Sequence, residues 1–312
     1  MDRQELIKKL KHSARKYRFP LWKRFLKYPF ISFRDVLITV IFNKILKQKY
    51  YLIKKAKTIF GDHMYVVFPE SKDILYYGAY IYMDPEYRLN LFIIKNIIKE
   101  NLIFFDLGAH YGWFSLLVSN LLPNSKIYAF EPDPNVLKIL ERNKRPNIEI
   151  INKAVSDKEG KIKFYSRPLL SSGISTLNIE SENLAFKEIP YQEIEVESIT
   201  LDNFCFENNI YPDFVKIDVE GAEEMVLRGS QEILKNYNPI IAIEIWFKPF
   251  SDVYKNSIEI LKNFGYKMYA INEEGDLEYI PYDKIKDYFQ KLDNYYQKIN
   301  CGAIYDNLIF KK

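Results

Sequence analysis

Apolar and polar positions alternate along this chain in two periods. Largely apolar runs of four to eight residues, the length of buried strands, recur at Leu102–Phe105, Lys126–Phe130, Ile148–Asn152, Phe214–Ile217, Ile240–Ile245, Tyr266–Ile271 and Ala303–Phe310. Between them lie stretches with helical spacing: Glu86–Lys99, about 112–121, Asp133 to Asn143, Ala222–Leu227 and Val253–Asn263. Strand and helix in alternation predict a mostly parallel sheet covered on both faces, an α/β doubly wound domain. Ahead of it, His63–Phe68 and Ile74–Met83 read as a strand hairpin, and Asp84-Pro85 as an N-cap and first-turn proline. Between the third and fourth sheet strands lies an insertion, Gly160–Phe204. It carries two alternating strands, Lys161–Tyr165 and Glu193–Ser198, around a Ser-rich loop, 166–191. A loop of that length in a compact domain is a lid, an acceptor-contacting loop or a mobile excursion.

The first 60 residues carry three short helical patterns: 1–17, one starting at Leu21 and one within 36–45, with Pro20 and Pro29 between them. They predict a helical N-terminal extension, 1–60, ahead of a catalytic domain, 61–312. The net charge of +4 hides an asymmetry. Residues 1–28 hold ten Lys or Arg against Asp2 and Glu5, so a basic tail precedes an acidic body. That distribution argues for a local contact rather than for nucleic acid. Two forms are open: a solvated helix packed on the domain or on a second subunit, or an interfacial helix with Trp22 and Phe25 inserted among anionic lipids. Val36–Phe42 is far shorter than the ~20 residues a span needs. The N-terminus lacks the apolar core and small-residue cleavage site of a signal peptide. Cys205 and Cys301 are too few for a disulfide framework or a zinc site, which suits a reduced, cytoplasmic setting, peripheral to the inner membrane face if the lipid form holds.

Candidate chemistry sits at the first sheet strand. Asn101–Gly112 reads NLIFFDLGAHYG, a buried strand, an acid and a glycine turn leading into a helix. Strand, Gly-rich turn and helix open a nucleotide-binding unit. The spacing is not the dinucleotide G-x-G-x-x-G, and an acid here suits a sulfonium or ammonium group better than a pyrophosphate. Glu131, at the end of the second strand, is placed to grip ribose hydroxyls. Together they suggest S-adenosylmethionine (SAM), with a structural glycine turn or a dehydrogenase as the other options. Gly108, Ala109 and Gly112 would cradle the methionyl part, Asp106 would act near it, and Pro132 would fix the turn below Glu131. Asn152, Ala154, Ser156 and Asp157 follow the third strand, where adenine is read; Asp157 also opens a good turn, a purely local role.

Several blocks in order, DLGAHYGWFS, YAFEPDPNVLKILERN, INKAVSDKEG, ITLDNF, FVKIDVEGAEEMVLRGS and PIIAIEI, resemble the FkbM family of SAM-dependent methyltransferases over about Tyr87 to Phe250. The family usually has Asn where His110 stands. The resemblance implies a class I, Rossmann-like methyltransferase fold of seven strands with the last antiparallel. It also implies O-methylation of a hydroxyl, often on a sugar, glycolipid or polyketide product. Lys216-Ile-Asp218-Val-Glu220-Gly221 is the acceptor-side block, and an extended backbone would point Asp218 and Glu220 the same way. Asp218, Glu220, His110 and Glu244 are the candidate bases for the acceptor proton, with Asp218 also beside the cofactor. The Asn/Asp-Pro-Pro-aromatic motif of base-amino methyltransferases is absent, which disfavours a nucleic-acid acceptor. A glycan or lipid-linked sugar is the expected acceptor, a polyketide-like metabolite the alternative, and an inactive SAM-binding scaffold the non-enzymatic one. No metal is expected. Only Asp218 and Glu244 end neighbouring strands, and Trp246-Phe247-Lys248 follows in place of a third carboxylate, with Lys248 opposing a cation.

Overall fold

A computed structural model describes residues 2–18, 33, 37, 51–179, 189–248, 250–299 and 301–312. In chain order the elements are α1 (Arg3–Arg18), β1 (Leu52–Lys57), β2 (His63–Phe68), α2 (Lys72–Tyr77), α3 (Asp84–Asn96), β3 (Ile103–Leu107), α4 (Trp113–Leu121), β4 (Lys126–Phe130), α5 (Pro134–Asn143), β5 (Ile148–Ile151), β6 (Ala154–Val155), β7 (Gly160–Ser166) and β8 (Gln192–Ile199). They continue with α6 (Leu201–Asn208), β9 (Phe214–Ile217), α7 (Glu223–Arg228), α8 (Gln231–Asn236), β10 (Ile240–Trp246), α9 (Asp252–Asn263), β11 (Lys267–Ile271), β12 (Leu277–Ile280), α10 (Ile285–Lys298) and β13 (Tyr305–Lys311).

The central sheet runs β12-β11-β13-β10-β9-β3-β4-β5. Strands β5, β4, β3, β9 and β10 are mutually parallel, and β13 lies antiparallel between β10 and β11. The expected seven-stranded doubly wound sheet with an antiparallel last strand is therefore present. An eighth strand, β12, is added as a hairpin on β11. Alternation along β3 explains the layering. Phe104 packs into one apolar core with Ile127, Ala129 and Phe214, under α1, α3, α4 and α5. Its neighbour Phe105 packs into the other with Tyr128, Phe130 and Val215, under α6, α7, α9 and α10. From β3 the chain winds outward to β4 and β5, then returns on the other side to β9. The crevice between the carboxyl ends of β3 and β9 is thus the topological switch point, where ligands bind in open α/β sheets.

The N-terminal third departs from expectation. The hairpin partner of β2 is β1, pairing Ala56 with Met64, and not the segment Ile74–Met83. That segment begins inside α2, which ends at Gly78 with φ 71°. A short apolar run does not itself distinguish strand from buried helix, and here buried Asp73 decides, accepting the Ile81 amide at 2.8 Å. β1 went unexpected because its LIKKAK pattern buries Ala56 alone. The 1–60 extension is consequently helical over α1 and extended over β1. The helices expected from Leu21 and within 36–45 lie largely outside the described residues. α1 packs Leu6, Leu10 and Ala14 on the domain, and the Arg3 guanidinium donates to the carbonyls of Ile94 and Ile97. The N-cap of α3 is Met83 rather than Asp84. Asp84 lies inside the helix, its carboxylate 2.5 Å from Arg88 Nε, while Glu86 accepts the Met83 amide at 3.1 Å.

The two strands of the insertion, β7 and β8, are antiparallel as expected, and β8 also pairs with β6, which precedes the insertion, in a separate three-stranded sheet, β6-β8-β7. Residues Leu169–Ile174, within the Ser-rich loop, make a short 3-10 helix. Helices α6, α8 and α10, in the covering layers, and strand β12, at the sheet edge, had no counterpart in the pattern analysis.

Candidate active site

The carboxyl ends of β3, β4, β9 and β10 open onto one cavity of about 650 Å³. One part of its wall comes from the turn after β3. The amides of Gly108 and Ala109 both donate to the Phe130 carbonyl, at 3.1 and 2.9 Å, which folds the turn over the end of β4. Gly108 has φ 74°, and a Cβ there would sit 1.8 Å from the Asp218 carbonyl oxygen. Glycine is required by both the backbone angle and the approach of β9. Gly112 caps α4 with φ 85° and packs toward Leu140; it does not line the cavity. Asp106 is also removed from the cavity. Fully buried, it accepts the Ser115 amide and hydroxyl at 3.1 and 2.6 Å and lies 3.6 Å from Lys216 Nζ. The expected contact between Asp106 and the cofactor becomes a structural one, because the α4 N-terminus claims its carboxylate first. Burial raises its pKa, with Lys216 opposing.

Glu131 stands at the end of β4 on the cavity wall beside Pro132. Its two oxygens accept the amides of His110 and Asp133, each at 2.9 Å. Burial pushes its carboxyl up to about 8, opposed by the Asp133 amide. His110 adopts φ 51°, stacks on Tyr111 with ring centroids 3.7 Å apart, and lies 2.8 Å through Nε2 from Ser172 Oγ. Burial, then the Lys216 charge, lowers its pKa to about 3, so the ring is neutral. A neutral imidazole already engaged by the insertion is a poor base and a good wall. Tyr111 completes the clasp: its hydroxyl donates to Glu70 at 2.6 Å and lies 3.0 Å from Ser172 Oγ.

The adenine-side stretch is shifted from its expected place. Lys153, Ala154 and Val155 line the cavity, whereas Asn152, Ser156 and Asp157 do not. Strand β5 ends at Ile151, and β6 then pairs with β8, which carries Asp157 out to solvent. Ser156 is buried, its hydroxyl 3.2 Å from Asp157 Oδ1. The local turn role is the one the structure gives Asp157.

Another part of the wall gathers three carboxylates, from the β9 end and from β10. Ligand-capable oxygens of Asp218, Glu220 and Glu244 lie within 4.8 Å of one another. The expectation of only two well-placed acids is overturned. Glu220 reaches the group although its backbone is left-handed, φ 55°, rather than extended. Lys248 is turned away, 2.6 Å from Asp293. Glu244 is nine-tenths buried and accepts Trp246 Nε1 at 2.6 Å. Burial, then repulsion from Asp218, raises the carboxyls of Glu220 and Glu244 well above their usual range. The acid that the α7 N-terminus satisfies is Glu223, which accepts the Val219 and Gly221 amides at 3.3 and 3.2 Å.

Several wall residues had no motif to mark them. Lys216, inside buried β9, holds Asp218 Oδ2 at 2.9 Å. A lysine within an apolar strand is a signal that sequence reasoning could have used. Glu70, Tyr80, Glu86 and Tyr305 come from elements far apart in the chain. Burial brings the Glu70 and Glu86 carboxyls to about 7, opposed in each case first by a tyrosine hydroxyl. Tyr305 donates to Glu86 at 2.5 Å.

A glycine cradle, an acid on the second strand's end and an apolar wall including Phe130 and Val155 fit the parts of SAM: amino-acid tail, ribose and adenine. The profile of the methyltransferase FkbM domain matches residues 106–268. Methyltransferase sdnD of Sordaria araneosa is 28% identical over 177 residues, 48% of this chain and 68% of that protein. Among solved structures, the methyltransferase FkbM of Methylobacillus flagellatus is similar at 14% identity and TM-score 0.44, covering 79% of this chain and 56% of that one. The Aeropyrum pernix fibrillarin determined with bound S-adenosyl-L-methionine is similar at 15% identity and TM-score 0.39, covering 72% and 74%.

Proposed function

The chain belongs to the methyltransferase FkbM family and is a SAM-dependent methyltransferase, and from that premise we propose that it methylates a hydroxyl oxygen of a glycan or lipid-linked sugar. The observation that carries this reading is the single cavity. Gly108, Ala109 and Glu131 line it together with Asp218, Glu220 and Glu244, and Asp218 lies directly beside the Gly108 turn. Tyr80, Tyr82, Trp246 and Tyr305 add flat amphipathic surfaces suited to sugar rings.

When bound, SAM supplies an electrophilic methyl group on a sulfonium. The residues of this chain supply the rest. The backbone at Gly108 and Ala109 and the Glu131 carboxylate hold the donor, with Glu131 directed at ribose hydroxyls. The acids would orient the acceptor hydroxyl, and a carboxylate oxygen of Asp218, Glu220 or Glu244 would take its proton as the methyl group leaves sulfur, as a neutral thioether, for the hydroxyl oxygen. The raised carboxyls of Glu220 and Glu244 are stronger bases once ionised, and they are ionised in a smaller fraction of molecules than an ordinary glutamate. Residues 169–178 close the cavity: Ser172 engages His110 and Tyr111, and Thr176 Oγ1 donates to the Glu220 carbonyl at 2.6 Å. Holding the acceptor in line and excluding water accounts for much of the expected acceleration.

The test is incubation with SAM carrying a labelled methyl group and the glycan and lipid fractions of a lysate. Label in an alkali-stable methyl ether of a carbohydrate supports the proposal. Label confined to a polyketide-like metabolite assigns the alternative acceptor, and an N-methyl product rejects hydroxyl chemistry. On the N-terminal side, the apolar stripe of α1 is used against the domain, so peripheral attachment to an anionic membrane rests on the outward Lys8, Lys9 and Arg15.

A further inference from the structure

Lys216 is buried in the middle of the sheet, 3% exposed, yet it reaches the cavity wall. Its ammonium lies 2.9 Å from Asp218 Oδ2, 3.6 Å from Asp106 Oδ1, 3.5 Å from the Gly108 carbonyl and 5.4 Å from the centre of the Phe114 ring. Two acids flank the ammonium, Asp106 and Asp218, and Glu220 and Glu244 gather next to Asp218. Three carboxylates this close repel one another unless protons or a positive charge intervene. Divalent ions bind between such acids through several oxygens at about 2.0–2.6 Å. Here one Asp218 oxygen is already engaged, and an ion placed among the acids would meet an ammonium at close range.

We propose that Lys216 is a positioning residue of methyl transfer, its ammonium fixing the Asp218 carboxylate at the cavity and standing where a divalent cation would otherwise hold these acids together. The proposal rests on the reading that methyl transfer takes place in this cavity. Lys216 carries its charge on a short tether from β9, so the acids are held in register with the Gly108 turn, to which the same ammonium is directed. Asp106 supplies the second anchor from below. This also gives the buried, cavity-remote Asp106 a function: it stabilises the ammonium from the side opposite the substrate.

Terbium binding tests the proposal, with Trp246 as the antenna, because its indole nitrogen is 2.6 Å from Glu244 Oε1. The wild-type protein is expected to show no Trp-sensitised terbium emission at micromolar terbium and to keep full turnover in EDTA. The Lys216→Met variant is expected to gain saturable emission, with at least tenfold tighter terbium binding, lost again when Glu244→Gln is added. Its turnover should fall at least tenfold with SAM affinity within about threefold of wild type, and Lys216→Arg should restore part of the turnover without emission. Sensitised emission from wild type, or EDTA inhibition reversed by magnesium, overturns the proposal; so does a folded Lys216→Met that stays dark. If Lys216→Met does not fold, the wild-type emission and EDTA results decide alone. Failure of wild type to bind SAM by calorimetry would instead reject the cofactor site, a result distinct from any of these.

Discussion

The two walls of the cavity are built differently. The wall proposed to hold the cofactor is made by consecutive residues: Gly108, Ala109 and His110 in one turn, Glu131 and Pro132 in another. Backbone amides hold both turns, with Gly108 and Ala109 bonded to Phe130 and His110 bonded to Glu131. The acceptor wall is made by side chains from α3, β9, β10 and β13, held by one another: Lys216 to Asp218, Trp246 to Glu244, Tyr305 to Glu86. A backbone-built wall tolerates little change in chain geometry. A side-chain wall can be remodelled one residue at a time, which suits a donor common to many enzymes facing an acceptor that differs among them.

The contrast predicts that acceptor-wall changes alter turnover and leave donor binding alone. Asp218→Asn is expected to lower kcat by about 10²- to 10⁴-fold, the usual range for a positioned acid–base group, with SAM affinity nearly unchanged. Parallel kinetics and calorimetry check this. A loss of SAM affinity as large as the loss of kcat would erase the distinction between the walls. Unchanged turnover would move the base to Glu220 or Glu244.

The clasp between the walls should give a middle-sized effect. Ser172→Ala removes the partner of His110 Nε2 and of the Tyr111 hydroxyl. A net hydrogen bond of about 1 kcal/mol corresponds to roughly a fivefold rise in KM. Steady-state kinetics showing no change in KM would make this segment a bystander.

The pH dependence separates the walls by charge. Glu70, Glu86 and Glu223 titrate near 7 in the folded state and Glu131 near 8, each raised first by burial. A raised acid stabilises the fold at low pH, and that contribution is lost as pH climbs through the folded pKa. His110, lowered to about 3, acts oppositely but only below its ordinary value of 6.5. Between pH 6.5 and 8 the acids alone act, so the melting temperature of the ligand-free protein should fall by a few degrees. Calorimetric melts across that window check it, and a rise would contradict the burial of these groups.

The smallest effect is expected outside the cavity. Replacing Lys8 and Arg15 by Glu should weaken binding to anionic vesicles about fivefold per lost charge at low salt, less at high salt, and leave SAM binding intact. Equal partitioning of variant and wild type in a vesicle sedimentation assay would assign α1 to packing on the domain alone.

The same contrast explains what could be read from the chain. The parallel sheet was legible because each strand is a nearly continuous apolar run and each turn residue follows it directly. The places of Gly108 and Glu131 on the cavity wall were legible because they belong to local geometry. Asp106 and Asp157 were misplaced for a physical reason: an acid beside a strand end has several local amides to satisfy, and the chain pattern does not say which it chooses. Asp106 went to Ser115, and Asp157 to solvent beyond β6. Glu70, Glu86 and Tyr305 were invisible because they meet only through tertiary folding, across as many as 219 positions. β1 and α2 were misassigned because their short patterns are settled by partners elsewhere: Met64 for Ala56, Ile81 for Asp73.

Calorimetric titration of SAM into wild type, Glu131→Ala and Asp157→Ala tests the placement of the cofactor most directly. One site per chain is expected in wild type, with binding weakened about 10- to 100-fold by Glu131→Ala, as the loss of a buried charged hydrogen-bonding group implies. Asp157→Ala should stay within about twofold of wild type. Full SAM affinity in Glu131→Ala, or its collapse in Asp157→Ala, would contradict the account.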